Sequence, residues 1–253
     1  MMKLTGCLLL LLILSGCMDE LPSPAPGPSD RATGHELEGS CANEVGVVDD
    51  PAARTVSTLR GDIDGDDTDD EVFVVNDDAA TAGCKAFLVV AAGGTTYSAP
   101  IDPSGNPRSL PVPSLNSLAN VGVEPGAEIV VNIETGASTQ FVGLFTLTDE
   151  GLERMTVDGA GPGPFPAGED LFPFGGSVGH MEAVTCISRD IVIMAAAVPS
   201  GNTAKRYEVE RRFFLVEGTT LSLDDGSIER HTVKGAELDR FPEFASSPFV
   251  GCD

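Results

Sequence analysis

The densest chemistry in this sequence lies in Arg60-Gly61-Asp62-Ile63-Asp64-Gly65-Asp66-Asp67-Thr68-Asp69-Asp70-Glu71, where seven acids stand between positions 62 and 71. A run of like charge is ordinarily a solvated segment. The order of this one is different. Asp62, Asp64, Asp66 and Asp70 take loop positions 1, 3, 5 and 9, and Thr68 offers a main-chain carbonyl at position 7. Oxygen donors alternating along a turning chain wrap a hard cation, and Ca²⁺ takes roughly six to eight of them. One calcium ion held by Asp62, Asp64, Asp66, Thr68 and Asp70 is therefore expected. An EF-hand is excluded: Phe73 stands at position 12, where a bidentate glutamate is needed, and no helical pattern flanks the loop.

Other candidate chemistry is thinner. Gly175-Gly176-Ser177-Val178-Gly179 has the Gly-x-Ser-x-Gly spacing of a nucleophile elbow, but the elbow needs a strand before it and a helix after it, and a β-like stretch follows here. His180 is too close in sequence to act as its base, which leaves His231. The histidines are His35, His180 and His231, too few for a multi-histidine metal centre. Paired carboxylates for hydrolysis are visible only in geometry. No catalytic residue is assigned, and a secreted hydrolase using paired carboxylates or Ser177 is the alternative to a binding or structural module.

The elements that must position the acidic loop follow one plan three times. The first unit runs Glu71–Val75, Ala86–Val90, a Gly93-Gly94 turn and Thr95–Ser98. The second runs Glu128–Ile133, Phe141–Thr148, an Asp149-Glu150-Gly151 turn and Leu152–Val157. The third runs Asp190–Met194, Arg212–Val216, a Glu217-Gly218 turn and Thr219–Leu223. Runs of Val, Ile, Phe and Thr favour a pleated, buried surface, and glycine at a tip supplies the positive φ of tight hairpins. A single meander cannot bury its own apolar face, so the units must pack sheet on sheet. The fold class expected is all-β: a small or incomplete propeller-like array of three or four antiparallel sheets, with a two-sheet β-sandwich as the alternative. The degenerate repeats span about 55–100, 115–158 and 178–225.

The Asp-x-Asp-x-Asp-x-x-x-Asp series ahead of the apolar run Val72–Val75 resembles the calcium loop of FG-GAP or VCBS-type repeats, the blades of integrin-like β-propellers. The resemblance covers about 14 residues. It implies side-chain ligands at Asp62, Asp64, Asp66 and Asp70 and a carbonyl ligand at Thr68. Asp67 departs from the family's usual glycine at position 6, a place that asks for left-handed backbone, which Asp tolerates better than most residues. Neither Val121–Glu128 nor Thr185–Asp190, the matching places in the other units, keeps the carboxylates, so one ion is expected rather than three.

Composition narrows the partners. Asp plus Glu number 39 against 15 Lys plus Arg, a formal charge of −24, which repels phosphate backbones and anionic headgroups and excludes nucleic acid. The 42% apolar content is too high for a wholly disordered chain. Leu8–Leu14 is an apolar run too short to span a bilayer and suited to a signal peptide over 1–16. Leu14-Ser15-Gly16-Cys17 resembles the lipobox of bacterial lipoproteins, which implies that Cys17 carries a diacylglyceryl group and that membrane lipid is one partner. Residues 17–40, with proline at alternate positions from Pro22 to Pro28, read as a tether that holds a domain at 41–253 on the extracytoplasmic face of the cell membrane or outer membrane. Cys41, Cys84, Cys186 and Cys252 remain for two disulfides; of three pairings, Cys41–Cys84 with Cys186–Cys252 keeps each bridge local. The Pro/Gly-rich stretch 158–176 carries Phe165, Phe172 and Phe174 and reads either as a loop pinned to the core by its phenylalanines or as the contact for a protein or glycan partner.

Overall fold

The computed structural model describes residues 53–77, 84–101, 109–122, 125–159, 170–201 and 206–252. All of them belong to the second of two units, Cys41–Asp253. The signal peptide, Cys17, the tether, Cys41 and Phe165 lie outside the described residues, and with Cys41 goes the pairing expected for Cys84.

The fold is all-β, as the sequence leads one to expect. Four strands form one sheet in chain order: β1 (Ala53–Gly61), β2 (Asp70–Asp77), β3 (Ala86–Ala92) and β4 (Thr95–Pro100). The second sheet begins with β5 (Ser109–Ala119), β6 (Glu128–Thr135), β7 (Thr139–Thr148) and β8 (Gly151–Arg154), β8 pairing with β7. After β9 (Thr156–Asp158) come β10 (Phe172–Ser177), β11 (His180–Ser188), β12 (Ile191–Pro199), β13 (Arg206–Glu217) and β14 (Thr220–Lys234). The sheet order β5-β6-β7-β10-β11-β12-β13-β14-β9 makes a single ten-stranded sheet, antiparallel except for β9 on β14. The second and third sequence units thus share one sheet instead of forming separate ones. The link is made by β10 and β11, whose sequences carry Gly175, Gly176 and scattered polar residues and which bridge β7 to β12.

Strands β6 and β7 form the middle layer. Alternation along a strand sends successive side chains to opposite faces. Ile129, Val131, Ile133, Phe141 and Phe145 therefore pack against Val72, Val74, Leu88 and Val90 of the four-stranded sheet. Their neighbours Val130, Val142 and Leu144 face the other way, into a second core with Phe172, Val192, Met194 and Phe214. Full burial of one such side chain is worth about 1.5–3 kcal/mol, and these two strands collect it on both faces.

The large sheet curls so that its far end returns to its beginning without closing. Leu152 pairs with Leu147 on β7, whereas two residues past the end of β8 the chain has changed partner, and Thr156 and Val157 pair with Thr220 and Leu221 on β14. The C-terminal segment seals the end of the second core. Phe249 meets Phe172 edge to face at 5.1 Å, and Cys252 is bonded to Cys186 on β11, the local pairing expected. Phe172 is fully buried and Phe174 packs against the same core, but both stand on strand β10, so the end of the stretch read as a 158–176 loop is part of the sheet. Two short 3-10 turns, Gly235–Arg240 and Pro242–Ala245, are the helical elements among the described residues, and Phe241 and Phe244 lay them over the outer face of β11–β13.

Candidate functional site

The acidic loop joins β1 to β2 and is folded chiefly by its own carboxylates. Ile63, only 2% exposed, plugs the first core and fixes the loop's base. Asp62 Oδ1 accepts the amides of Gly65 at 2.7 Å and Asp66 at 3.1 Å, and its Oδ2 accepts that of Asp67 at 3.0 Å. Buried Asp70 turns Oδ2 back to the amides of Ile63 at 2.9 Å and Asp64 at 3.3 Å. Local carboxylate-to-amide bonds of this kind are what let Asp replace a regular ladder in tight turns. Asp67 takes the left-handed backbone that its position asks for, with φ 64°, beside Gly65 at φ 77°.

A second turn holds the loop from outside. The Ala127 amide donates to the Asp62 carbonyl at 2.9 Å, and Gly126, at φ 98°, comes so close that a Cβ there would stand 2.2 Å from the Ile63 carbonyl oxygen. The result is that one carboxylate oxygen each from Asp62, Asp64 and Asp70 lies within 4.8 Å of the others, a group that could hold a metal ion. A carboxylate oxygen has two lone pairs, so accepting an amide does not remove it from a coordination shell. Burial lifts the Asp64 carboxyl above its ordinary range, and the negative charges of Asp70, Asp66 and Asp62 lift it further, against a backbone hydrogen bond from Asp66 that lowers it. Asp66 stands outside the group: its Oδ1 accepts the Thr68 amide at 2.8 Å, and both residues are exposed.

Beside this loop opens a cavity of about 700 Å³ between the start of β6, the β7–β8 hairpin and the β13–β14 turn. Five carboxylates line it, those of Asp64, Glu128, Asp149, Glu150 and Glu153, together with Tyr97. Glu128 is 3% exposed and accepts the Val121 amide at 2.6 Å. Burial pushes its carboxyl up to about 7, against the pull of the Val121 and Glu128 amides and of Arg189. The sequence marks Glu128 only as the acid that opens the second unit; that its side chain turns inward depends on the packing of β6 and could not be read from the strand pattern.

The serine candidate finds no relay. Ser177 ends β10 at the tip of a hairpin, not at a strand-to-helix elbow, and its Oγ accepts the Gly179 amide at 3.2 Å. His180 instead meets Thr139 Oγ1 at 2.9 Å and Ser138 Oγ at 3.3 Å through Nε2, and the same nitrogen lies 3.7 Å from Glu182 Oε2. A hydroxyl–imidazole–carboxylate relay needs its carboxylate on the other ring nitrogen. Here hydroxyls and carboxylate share one, and the cluster ties β7 to β11 across β10. His231 lies against Glu229 and Phe241.

Comparison with known proteins adds no relative: no family model matches the chain, and neither the curated proteins nor the solved structures give a match.

Proposed function

We propose that this chain is a lipid-anchored extracytoplasmic lipoprotein whose all-β domain serves as a binding or structural module, steadied by one calcium ion in the β1–β2 loop. The observation that carries the calcium reading is the convergence of Asp62, Asp64 and Asp70 on one point. Two oxygens on one Ca²⁺ at about 2.3–2.6 Å can stand up to roughly 5 Å apart, so the spacing fits. Asp66 and Thr68 would complete the shell by turning inward, as the FG-GAP-like order of the residues implies. The ion would neutralise the crowded carboxylates and pin the start of β2. The four-stranded sheet laid face to face on β6 and β7 favours the two-sheet sandwich over the propeller-like array.

Calcium at millimolar concentration is expected to raise the melting temperature of the full-length protein. A site with a dissociation constant near 0.1 mM, of the order found in extracellular modules, gives about 1.4 kcal/mol at about 1 mM calcium, or roughly 3–6 °C. Asp64→Ala/Asp66→Ala should abolish the shift; an unchanged shift, or none in the wild type, refutes the site. For the anchor, Cys17→Ser should move the protein from the membrane fraction to the soluble fraction, because stable anchoring needs the acyl chains. Retention of that variant in the membrane would refute lipidation.

A further inference from the structure

Residues 246–252 form a strap rather than a strand. The strap leaves the Pro242–Ala245 turn, which is held to the sheet by the ion pair of Arg211 Nε with Glu243 Oε1 at 2.9 Å. From there it runs along the end of the second core. The Phe249 amide donates to the Val184 carbonyl of β11 at 3.0 Å, and the Thr185 hydroxyl donates to the Val250 carbonyl. The Asn120 amide, just past β5, donates to the Cys252 carbonyl at 3.1 Å. Phe249 is 3% exposed and closes over Phe172. The disulfide to Cys186 is the strap's covalent hold on the sheet.

Two features set this bond apart from an inert cross-link. Its two cysteines are unequally placed. Cys252 is 2% exposed, whereas Cys186 is half-buried and sits at a bulge. The β11–β12 register jumps there from Cys186 to Ser188, which leaves Ile187 57% exposed. A bulge disrupts the ladder and bends its strand, and thiol–disulfide exchange needs access to the sulfur attacked, so the Cys186 side is the one open to a thiol. The strap is also wound against its preference. Phe249 holds φ 58°, a left-handed backbone that a bulky residue adopts only where its surroundings enforce it. With the covalent bond cut, that strain favours departure.

We propose that Cys186–Cys252 is a redox-sensitive clasp: a dithiol reductant opens it, the strap leaves, and the apolar slot beneath Phe249 is uncovered while both sheets stay folded. One thiolate of the dithiol attacks Sγ of Cys186. A mixed disulfide forms there and the bond to Cys252 breaks, Cys252 departing as a thiolate that takes up a proton. The second thiolate of the dithiol then attacks the reductant's own sulfur in the mixed disulfide, expelling Cys186 as a thiol and leaving the reductant as a cyclic disulfide. Two electrons and two protons pass to the protein. Every described strand precedes the strap, so its departure unpairs none of them, and the Arg211–Glu243 pair stops the fraying at the turn before it. Phe172 and Val184, both in the second core, line the slot. The clasp uses neither the calcium loop nor the lipid anchor.

Reduced glutathione, a monothiol that stops at the mixed disulfide, is the first probe. It is applied to the full-length protein in mildly alkaline buffer, free thiols are blocked with iodoacetamide, and peptides are mapped by mass spectrometry. The adduct is expected on Cys186 with the blocked thiol on Cys252; an adduct on Cys252, or none without urea, overturns the proposal. Dithiothreitol is the second probe, read by amide hydrogen exchange. The Phe249 and Asn120 amides should exchange about tenfold faster after reduction while those of β12 and β13 stay protected. Unchanged exchange at both amides means a strap that stays shut, and lost protection in β12 and β13 means a global staple; either result overturns the clasp. Dithiothreitol also reaches Cys84, which is disulfide-bonded, so Cys186→Ser/Cys252→Ser is measured without reductant. The same pattern confined to the strap is expected, and a fully protected strap or an unfolded variant counts against the clasp.

Discussion

Replacing Gly126 with alanine is expected to lower the unfolding free energy by about 3 kcal/mol. Two causes add. Gly126 sits at φ 98°, where a side chain is strained, and its Cβ would stand 2.2 Å from the Ile63 carbonyl oxygen and 2.7 Å from the Ile63 carbonyl carbon. Neither atom belongs to a flexible side chain, so the acidic loop or the 125–127 turn must move. Movement of the turn breaks the bond from the Ala127 amide to the Asp62 carbonyl, and movement of the loop draws buried Ile63 out of the first core. The matched control is Gly94→Ala. That glycine has φ 80° with nothing within 4 Å of the new methyl, so only backbone strain remains, about 1 kcal/mol. Urea unfolding of both variants gives the comparison; equal losses would show that the Gly126 contact does not matter. Calcium should also rescue less of the melting temperature in Gly126→Ala, because the same movement spreads the carboxylates.

Glu128→Gln is expected to stabilise the protein above neutral pH, by up to about 3 kcal/mol. The carboxyl sits near 7 in the folded protein against an ordinary 4.5. Its folded-state value is raised, so the contribution to stability is complete below the unfolded value and disappears as pH rises through the folded one. Stability of the wild type should therefore fall between about pH 4.5 and 7, where the folded chain holds a proton that the unfolded chain has lost. Buried Glu182, also raised by burial, contributes in the same direction. Glu210 and Glu229 are lowered, the latter first by its hydrogen bond to Arg211, and they contribute with the opposite sign. The difference between wild type and Glu128→Gln isolates the one group. Chemical unfolding at pH 5 and pH 8 measures it: near-equal stabilities at pH 5 and a more stable variant at pH 8 are expected, and a pH-independent difference contradicts the assignment.

The nine strands that the sequence announces do so by long β-branched or aromatic runs bounded by Gly-containing turns. Val72–Val75 became β2 and Phe141–Thr148 became β7, because burial on both faces demands nearly unbroken apolar composition. Strands β1, β5, β10 and β11 carry no such run. β1 and β5 have Arg, Ser, Asn and Pro among their residues, and β10 has two glycines; their pairing is decided by neighbours far away in the chain. The change of partner at Met155 is invisible for the same reason, since Leu152–Val157 looks like one strand and only β14 shows that it serves two. In the acidic loop, spacing alone brought out Asp62, Asp64 and Asp70, because alternate residues on a tightly turned chain point inward. Asp66 follows the same spacing and yet bonds to Thr68, a local competition that spacing does not encode. The cavity escaped the sequence entirely: its walls come from the β5–β6, β7–β8 and β13–β14 connections together with Asp64 and Tyr97 of the four-stranded sheet, segments that meet only in the folded chain.

The edge of β14 has a consequence for how copies of the chain meet. Only Thr220–Ser222 are covered by β9; the rest of this fifteen-residue strand has β13 as its one sheet partner among the described residues. An open edge invites a neighbouring copy to add its own strand and polymerise. Here the register jumps from Arg212–Ile228 to Phe214–Leu223, throwing out a kink at Asp224–Ser227, and Glu229, Arg230, His231 and Lys234 follow. A docking strand would meet a broken ladder studded with mixed charge, which disfavours strand addition along this edge.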